Sequence, residues 1–139
     1  MKIKKIAIVV LSIAAIILEI LPYGVVMLWA NPEGEPWRET FSYFDLLPFG
    51  YANFGPLITA ILTCVITIMC TVFLFCDSKG IRSGIFGLAC AATVTSFTPL
   101  FLGIEYFSII GALISTALLA IAVIMKTEQI KTKYKEELL

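Results

Sequence analysis

Four apolar runs, each close to the length that crosses a hydrocarbon core of ~30 Å, leave this chain few ways to fold. They occupy about 6–29, 57–76, 84–102 and 106–125. Segments that are apolar on every side are stable only inside a large core or in a bilayer. The composition decides between the two, because 60% of the 139 residues are apolar, against about 45–50% in soluble domains. The fold expected is an all-α membrane protein, a four-transmembrane-helix bundle with a short interfacial amphipathic helix in its first outer loop. One polytopic domain covers 1–139, with the outer loop at 31–55 and a charged cytoplasmic tail at 126–139.

The first run is interrupted once, by Glu19. A carboxylate at that depth costs at least ~2.5 kcal/mol unless it faces a bundle interior or a polar cavity. Ser12, Ala15, Glu19 and Val26 share one helical face, and small residues mark faces that meet other helices, so Glu19 is expected to point inward. Thirteen residues beyond Ile6, at ~1.5 Å each, it lies about 20 Å from the inner boundary, in the outer half of the membrane. Thr63 and Thr98 reach the same level when their own spans are counted. A neutral acid bonded to Thr63 or Thr98 is the structural reading; a carboxylate that loads and releases a proton or cation is the functional one. The basic start through Lys5 resembles a secretory signal, yet the apolar run is too long and Leu28 is too large for cleavage after Ala30. An uncleaved helix reaching about Trp29, kinked near Pro22, follows from this.

The segment 31–55 turns aromatic after a Pro- and Glu-rich opening. Trp37, Phe41 and Phe44 fall at i, i+4 and i+7, which predicts an interfacial helix over Trp37–Leu47. In the second span Thr59, Thr63, Thr67 and Thr71 recur every fourth residue, a hydroxyl ridge able to bond its own carbonyls or a neighbour. Small residues line the third span (Gly87, Ala91 and Thr95, with Ala92 and Ser96 beside them) and the fourth (Ala112, Thr116 and Ala120, with Gly111 and Ser115), which reads as close helix packing.

Nine of the ten Lys and Arg residues fall on one side of these spans, and only Arg38 falls on the other. The positive-inside rule then puts both termini in the cytoplasm of a multi-pass cell-membrane protein. The outer face is acidic, and Asp45 and Glu105 are candidate outer-mouth acids that could concentrate cations.

Histidine is absent, which removes imidazole catalysis, His-ligated metals and Ser/His/Asp triads. Cys64, Cys70, Cys76 and Cys90 form no Cys-x-x-Cys pair, so they read as buried small apolar residues rather than metal or redox ligands. Neither a nucleotide-binding Gly-rich loop nor a pair of intramembrane acids is present. No enzyme activity, cofactor or nucleic-acid partner is expected. Four spans with an acid in the first are similar in layout to the small multidrug exporters, whose loops are shorter. A long first outer loop is similar in outline to claudins, whose segment is longer and contains cysteines. Two function classes follow: an interaction or assembly subunit, self-associating or joining another membrane protein through spans three and four, and a small proton- or cation-coupled transporter using Glu19.

Overall fold

The computed structural model describes residues 2–139. Helix α1 (Lys2–Ile20) is followed by strand β1 (Val25–Trp29), strand β2 (Trp37–Phe41) and the short helix α2 (Leu46–Gly50). Then come α3 (Gly55–Phe75), α4 (Lys79–Ser96), the short α5 (Pro99–Leu102), a 3-10 turn (Ile104–Tyr106) and α6 (Ile109–Glu137). Helices α3, α4 continued through α5 to Leu102, and α6 are long and apolar enough to cross a membrane. Helix α1 is apolar in its middle but carries Lys2, Lys4, Lys5 and Glu19, so it is not one of the three.

The first apolar run is therefore two elements, not one helix to Trp29. Leu21 precedes Pro22, and the proline ring pushes the residue before it out of the α region, so α1 stops at Ile20. The residues beyond Gly24 include the β-branched pair Val25 and Val26, which suit a strand. Their partner is the segment expected to be an amphipathic helix: Trp37–Phe41 pairs antiparallel with Val25–Trp29, placing Val25 opposite Phe41 and Trp29 opposite Trp37. Aromatic spacing favoured a helix, but ladder bonds to β1 satisfy this backbone as well, and cross-strand aromatic pairs add to the pairing. In the same loop only Leu46–Gly50 forms a helix.

Each long helix touches two others: α1 packs on α3 and α6, and α4 packs on the same pair. Buried positions advance in steps of three and four along each. They are Ile8, Ser12, Ala15 and Glu19 in α1; Ile85, Ala89, Ala92 and Ser96 in α4; and Ile114, Leu118, Ile121 and Met125 in α6. That is the spacing of a left-handed coiled-coil seam. Small side chains let the backbones approach. A Cβ on Gly55 would lie 1.6 Å from Thr98 Oγ1 and 2.5 Å from the Thr95 carbonyl, so only glycine fits where α3 starts beside α4. Of the small residues expected to pack, Ala92, Ser96, Gly111 and Ser115 are buried, while Gly87, Ala91 and Thr116 are exposed. Among the four cysteines only Cys70 is buried, and Cys76 is exposed at the end of α3.

The turn after α3 is capped by Ser78, whose hydroxyl accepts from the Ile81 N–H, and α6 is capped in the same way by Ser108 on Gly111. Beyond Met125 the charged tail continues α6 as far as Glu137.

Candidate functional site

Glu19 sits in the last turn of α1 and is fully buried. Its Oε1 lies 2.7 Å from Thr63 Oγ1, across the contact between α1 and α3. The Thr63 hydroxyl also lies 2.8 Å from the Thr59 carbonyl, one turn back along its own helix. A hydroxyl has one proton to give, and a carbonyl can only accept. If Glu19 is a neutral acid that donates to Thr63, the Thr63 proton is free for the Thr59 carbonyl; with an ionised Glu19, Thr63 donates to Oε1 and shares its proton with that carbonyl. Among the described residues no Lys or Arg forms an ion pair with Glu19 that would favour the carboxylate instead. The second carboxyl oxygen, Oε2, is buried and has no hydrogen-bond partner.

The hydroxyl ridge of α3 extends this cluster. Thr59 Oγ1 lies 2.8 Å from the Gly55 carbonyl and 2.8 Å from Thr95 Oγ1 on α4. Ser96 and Ser115 meet at 2.7 Å between α4 and α6. Thr67 and Thr71 only bond carbonyls of their own helix, at 2.9 Å. Thr98, the alternative partner for Glu19, donates to the Thr95 carbonyl at 2.7 Å and packs against Gly55 instead. The sequence-derived pair is thus Glu19 with Thr63, and Thr98 stands apart.

The segment between α1 and α3 closes this end of the bundle. The Tyr43 N–H donates to the Glu19 carbonyl at 2.9 Å, tying the loop to the end of α1. The Tyr43 ring is buried against Gly24, where a Cβ would come within 2.8 Å of it, and its hydroxyl lies beside Gly111. Ser108 Oγ donates to the Gly24 carbonyl at 2.6 Å, and Val25 bridges to Phe107, so the hairpin is fastened to α6 as well. Tyr43 went unnoticed in the sequence because nothing separates it from six neighbouring aromatics until Gly24 and Gly111 are seen flanking it. Of the candidate mouth acids, Asp45 accepts the Ser42 N–H at 2.8 Å as a turn-former, while Glu105 is exposed in the 3-10 turn. They are not in contact with each other through any described bond. Glu39 is also engaged, accepting from Trp29 Nε1 at 3.0 Å.

A second polar cluster, at the opposite end, escaped the sequence reading. Asp77, in the turn between α3 and α4, accepts from Arg82 Nε at 2.7 Å and pairs with Lys5 at 3.0 Å. Lys5 also donates to the Phe73 carbonyl at 3.1 Å and lies over the Phe73 ring, while Arg82 reaches Thr132 of α6. Lys4 pairs with Glu128 of α6 at 2.6 Å. Burial works against the charged form of Asp77, but hydrogen bonds from Lys5 and Arg82 outweigh it and hold the carboxyl below its usual range. The hydrogen bond from Lys4 does the same for Glu128. The only sequence signal was that Asp77 and Arg82 flank one turn; their partners are more than 40 residues away along the chain.

Surface clefts lie at both ends of the molecule, and Glu19 lines none of those described. Chemically, the site is a sealed acid–hydroxyl joint between α1 and α3. No group of three or more His, Cys, Asp or Glu able to hold a metal occurs among the described residues. Compared with protein-family models, curated proteins and solved structures, the chain matches none.

Proposed function

We propose that this is a non-enzymatic integral membrane protein of four spans, α1 included, which works by associating with a second membrane-embedded chain. The observation that carries this reading is the outward placement of Gly87 and Ala91 on α4. The bundle is packed by Ala89, Ala92 and Ser96, while an added Cβ on Gly87 would meet nothing within 4 Å. Small residues exposed to lipid permit another helix backbone to approach closely, which is how helices associate where no hydrophobic effect drives them together. Lys and Arg distribution places both termini in the cytoplasm and the hairpin outside. Helix α1 then spans about 28 Å, from its 19 residues at ~1.5 Å each, with Lys2, Lys4 and Lys5 reaching the inner headgroups.

Gly87→Leu tests the reading, because the side chain has room in the single chain but not in a close helix pair. Chemical crosslinking and size-exclusion chromatography in mild detergent should show the wild-type chain in a complex, with itself or a copurifying protein, and the variant without it. An unchanged complex would refute the α4 face as the contact.

One observation favours a second reading, a proton- or cation-coupled carrier: Glu19 Oε2 is buried without a partner. Proteoliposome transport that is pH-dependent in the wild type and abolished by Glu19→Gln would select it over the first. A complex that forms normally with Gln at position 19, and no such flux, would leave Glu19 as a joint.

A further inference from the structure

The charged end of the molecule holds an open cleft of about 420 Å³, lined by Lys4, Arg82, Glu128, Lys131, Thr132 and Lys135. Three separate elements build it: the start of α1, the first turn of α4, and the charged continuation of α6. Its acids are already engaged. Lys4 pairs with Glu128, and both Lys5 and Arg82 pair with Asp77 just behind the wall. Lys131 and Lys135 form no ion pair among the described residues, although the charge of Lys131 acts on Glu128 and other lysines of the same helix end are paired: Lys79 with Glu136, and Lys133 with Glu137. Counting Lys4, Lys5, Arg82, Lys131 and Lys135 against Asp77 and Glu128 leaves an excess of positive charge at one spot.

Depth then selects the kind of anion. The apolar part of α6 ends at Met125, and Glu128, Lys131 and Lys135 follow three, six and ten residues later, about 4.5, 9 and 15 Å further out at ~1.5 Å per residue, so that Lys135 reaches the layer only by its side chain. A headgroup layer occupies roughly 5–8 Å beyond the hydrocarbon boundary, and lysine side chains reach back toward it. The Thr132 hydroxyl and the Arg82 guanidinium lie on the cleft wall at that level, beside the unpaired lysines.

We propose that this cleft holds the phosphate of an anionic glycerophospholipid from the leaflet on the side of the chain termini, with Lys131 and Lys135 as its main contacts. The proposal rests on the membrane-spanning reading of the helices but not on any association through α4.

Native mass spectrometry of the full-length protein in detergent, titrated with phosphatidylglycerol or with phosphatidylcholine of the same acyl chains, tests it. The wild type should favour phosphatidylglycerol. A double variant, Lys131→Gln with Lys135→Gln, should lose about 30-fold of that preference, at roughly 5-fold per lysine near an anionic surface. The pair Lys2→Gln and Lys126→Gln removes the same charge outside the cleft and should keep the preference. Equal losses in the two double variants would show diffuse surface charge and overturn the site. So would a wild type without lipid preference. Displacement of phosphatidylglycerol by millimolar inorganic phosphate would overturn the lipid assignment in favour of a soluble anion. Because Lys131 and Lys135 are exposed, unchanged circular dichroism is expected in every variant, and Gly87→Leu should leave the lipid preference intact.

Discussion

Glu19→Gln and Thr63→Val together test the protonation state of the buried joint. With a neutral acid, the proton runs from Glu19 to Thr63 Oγ1, and the Thr63 proton goes on to the Thr59 carbonyl, using contacts of 2.7 and 2.8 Å. Glutamine presents an N–H in place of the acid O–H, so Glu19→Gln should change stability by no more than about 0.5 kcal/mol. Thr63→Val keeps the shape but removes the one partner Glu19 has, leaving both carboxyl oxygens bare. An unsatisfied buried group costs about 1–3 kcal/mol, and measured interhelical bonds in membranes average ~0.6 and reach ~1.7, so a loss of about 1–2 kcal/mol is expected. Were Glu19 ionised, the sign for glutamine would reverse, since removing a buried charge relieves a penalty of several kcal/mol. Sodium dodecyl sulfate titration of the protein in mixed micelles at neutral pH, followed by circular dichroism, measures both variants against the wild type. A stabilisation of more than ~2 kcal/mol by Glu19→Gln, or no cost from Thr63→Val, would refute the donor accounting.

Tyr43→Ala should cost about 3–5 kcal/mol, most of it local to the cap, and should speed proteolysis within the segment from Asn31 to Gly55; an unchanged cleavage rate would show that Tyr43 does not fasten it. Asp77→Asn should remove the part of the acid sensitivity that Asp77 contributes, leaving that of Glu128. Asp77 has a carboxyl held below its usual range when folded, so its contribution is complete above the unfolded value of ~3.9 and is lost as pH falls through the folded value. Thermal melts should therefore diverge between wild type and variant above about pH 4 and converge below it. Cysteine placed at Gly34 should react with a membrane-impermeant thiol reagent in intact cells, and cysteine at Ser78 should not; the reverse pattern would invert the orientation. Glu19→Lys should block assembly, because a buried ammonium there has no carboxylate to pair with, and recovery of a folded bundle would contradict the sealed site.

The three long apolar helices after residue 55 were legible because length and composition suffice to place them, but the α6 seam was not, since it runs through Ile114, Leu118, Ile121 and Met125 and not through Ala112, Thr116 and Ala120. What misled was the assumption that an apolar stretch continues as one element. Val25–Trp29 is as apolar as the residues before Glu19, yet Pro22 ends the helix and Gly24 admits the Tyr43 ring. The strand character of Trp37–Phe41 could not be seen in that segment alone, because Trp37, Phe41 and Phe44 satisfy a helical period equally well; the choice was made by the presence of Val25–Trp29 as a partner. Small residues were read correctly at Ala92, Ser96, Gly111 and Ser115, which are buried, but not at Gly87 and Ala91. Gly87 and Ala91 stand four apart as a packing face would, but the α4 seam uses Ala89 and Ala92, and period alone does not say which of two small faces turns inward.

The site was legible in one half for a physical reason that the other half lacked. Glu19 stands out because an acid in an apolar run must be compensated, and Thr63 was among the few polar groups at its depth. Asp77, Arg82, Lys4 and Glu128 lie where charges are ordinary, at the ends of spans, so nothing in the sequence distinguishes a paired charge from a solvated one. Only the packing of α1 against α6 brings Lys4 within 2.6 Å of Glu128, and only the turn geometry brings Arg82 onto Asp77. These pairs place the start of α1 against both the α3–α4 turn and the tail of α6, at the end opposite Tyr43. Helix α1 is thus held at both ends by polar contacts and in the middle by Ile8, Ser12 and Ala15. A carrier that opened by moving α1 would have to break an ion-pair cluster and the cap in the same step. An assembly subunit needs no such movement, and a partner on the outward face of α4 would leave the main contacts of α1, which are to α3 and α6, undisturbed.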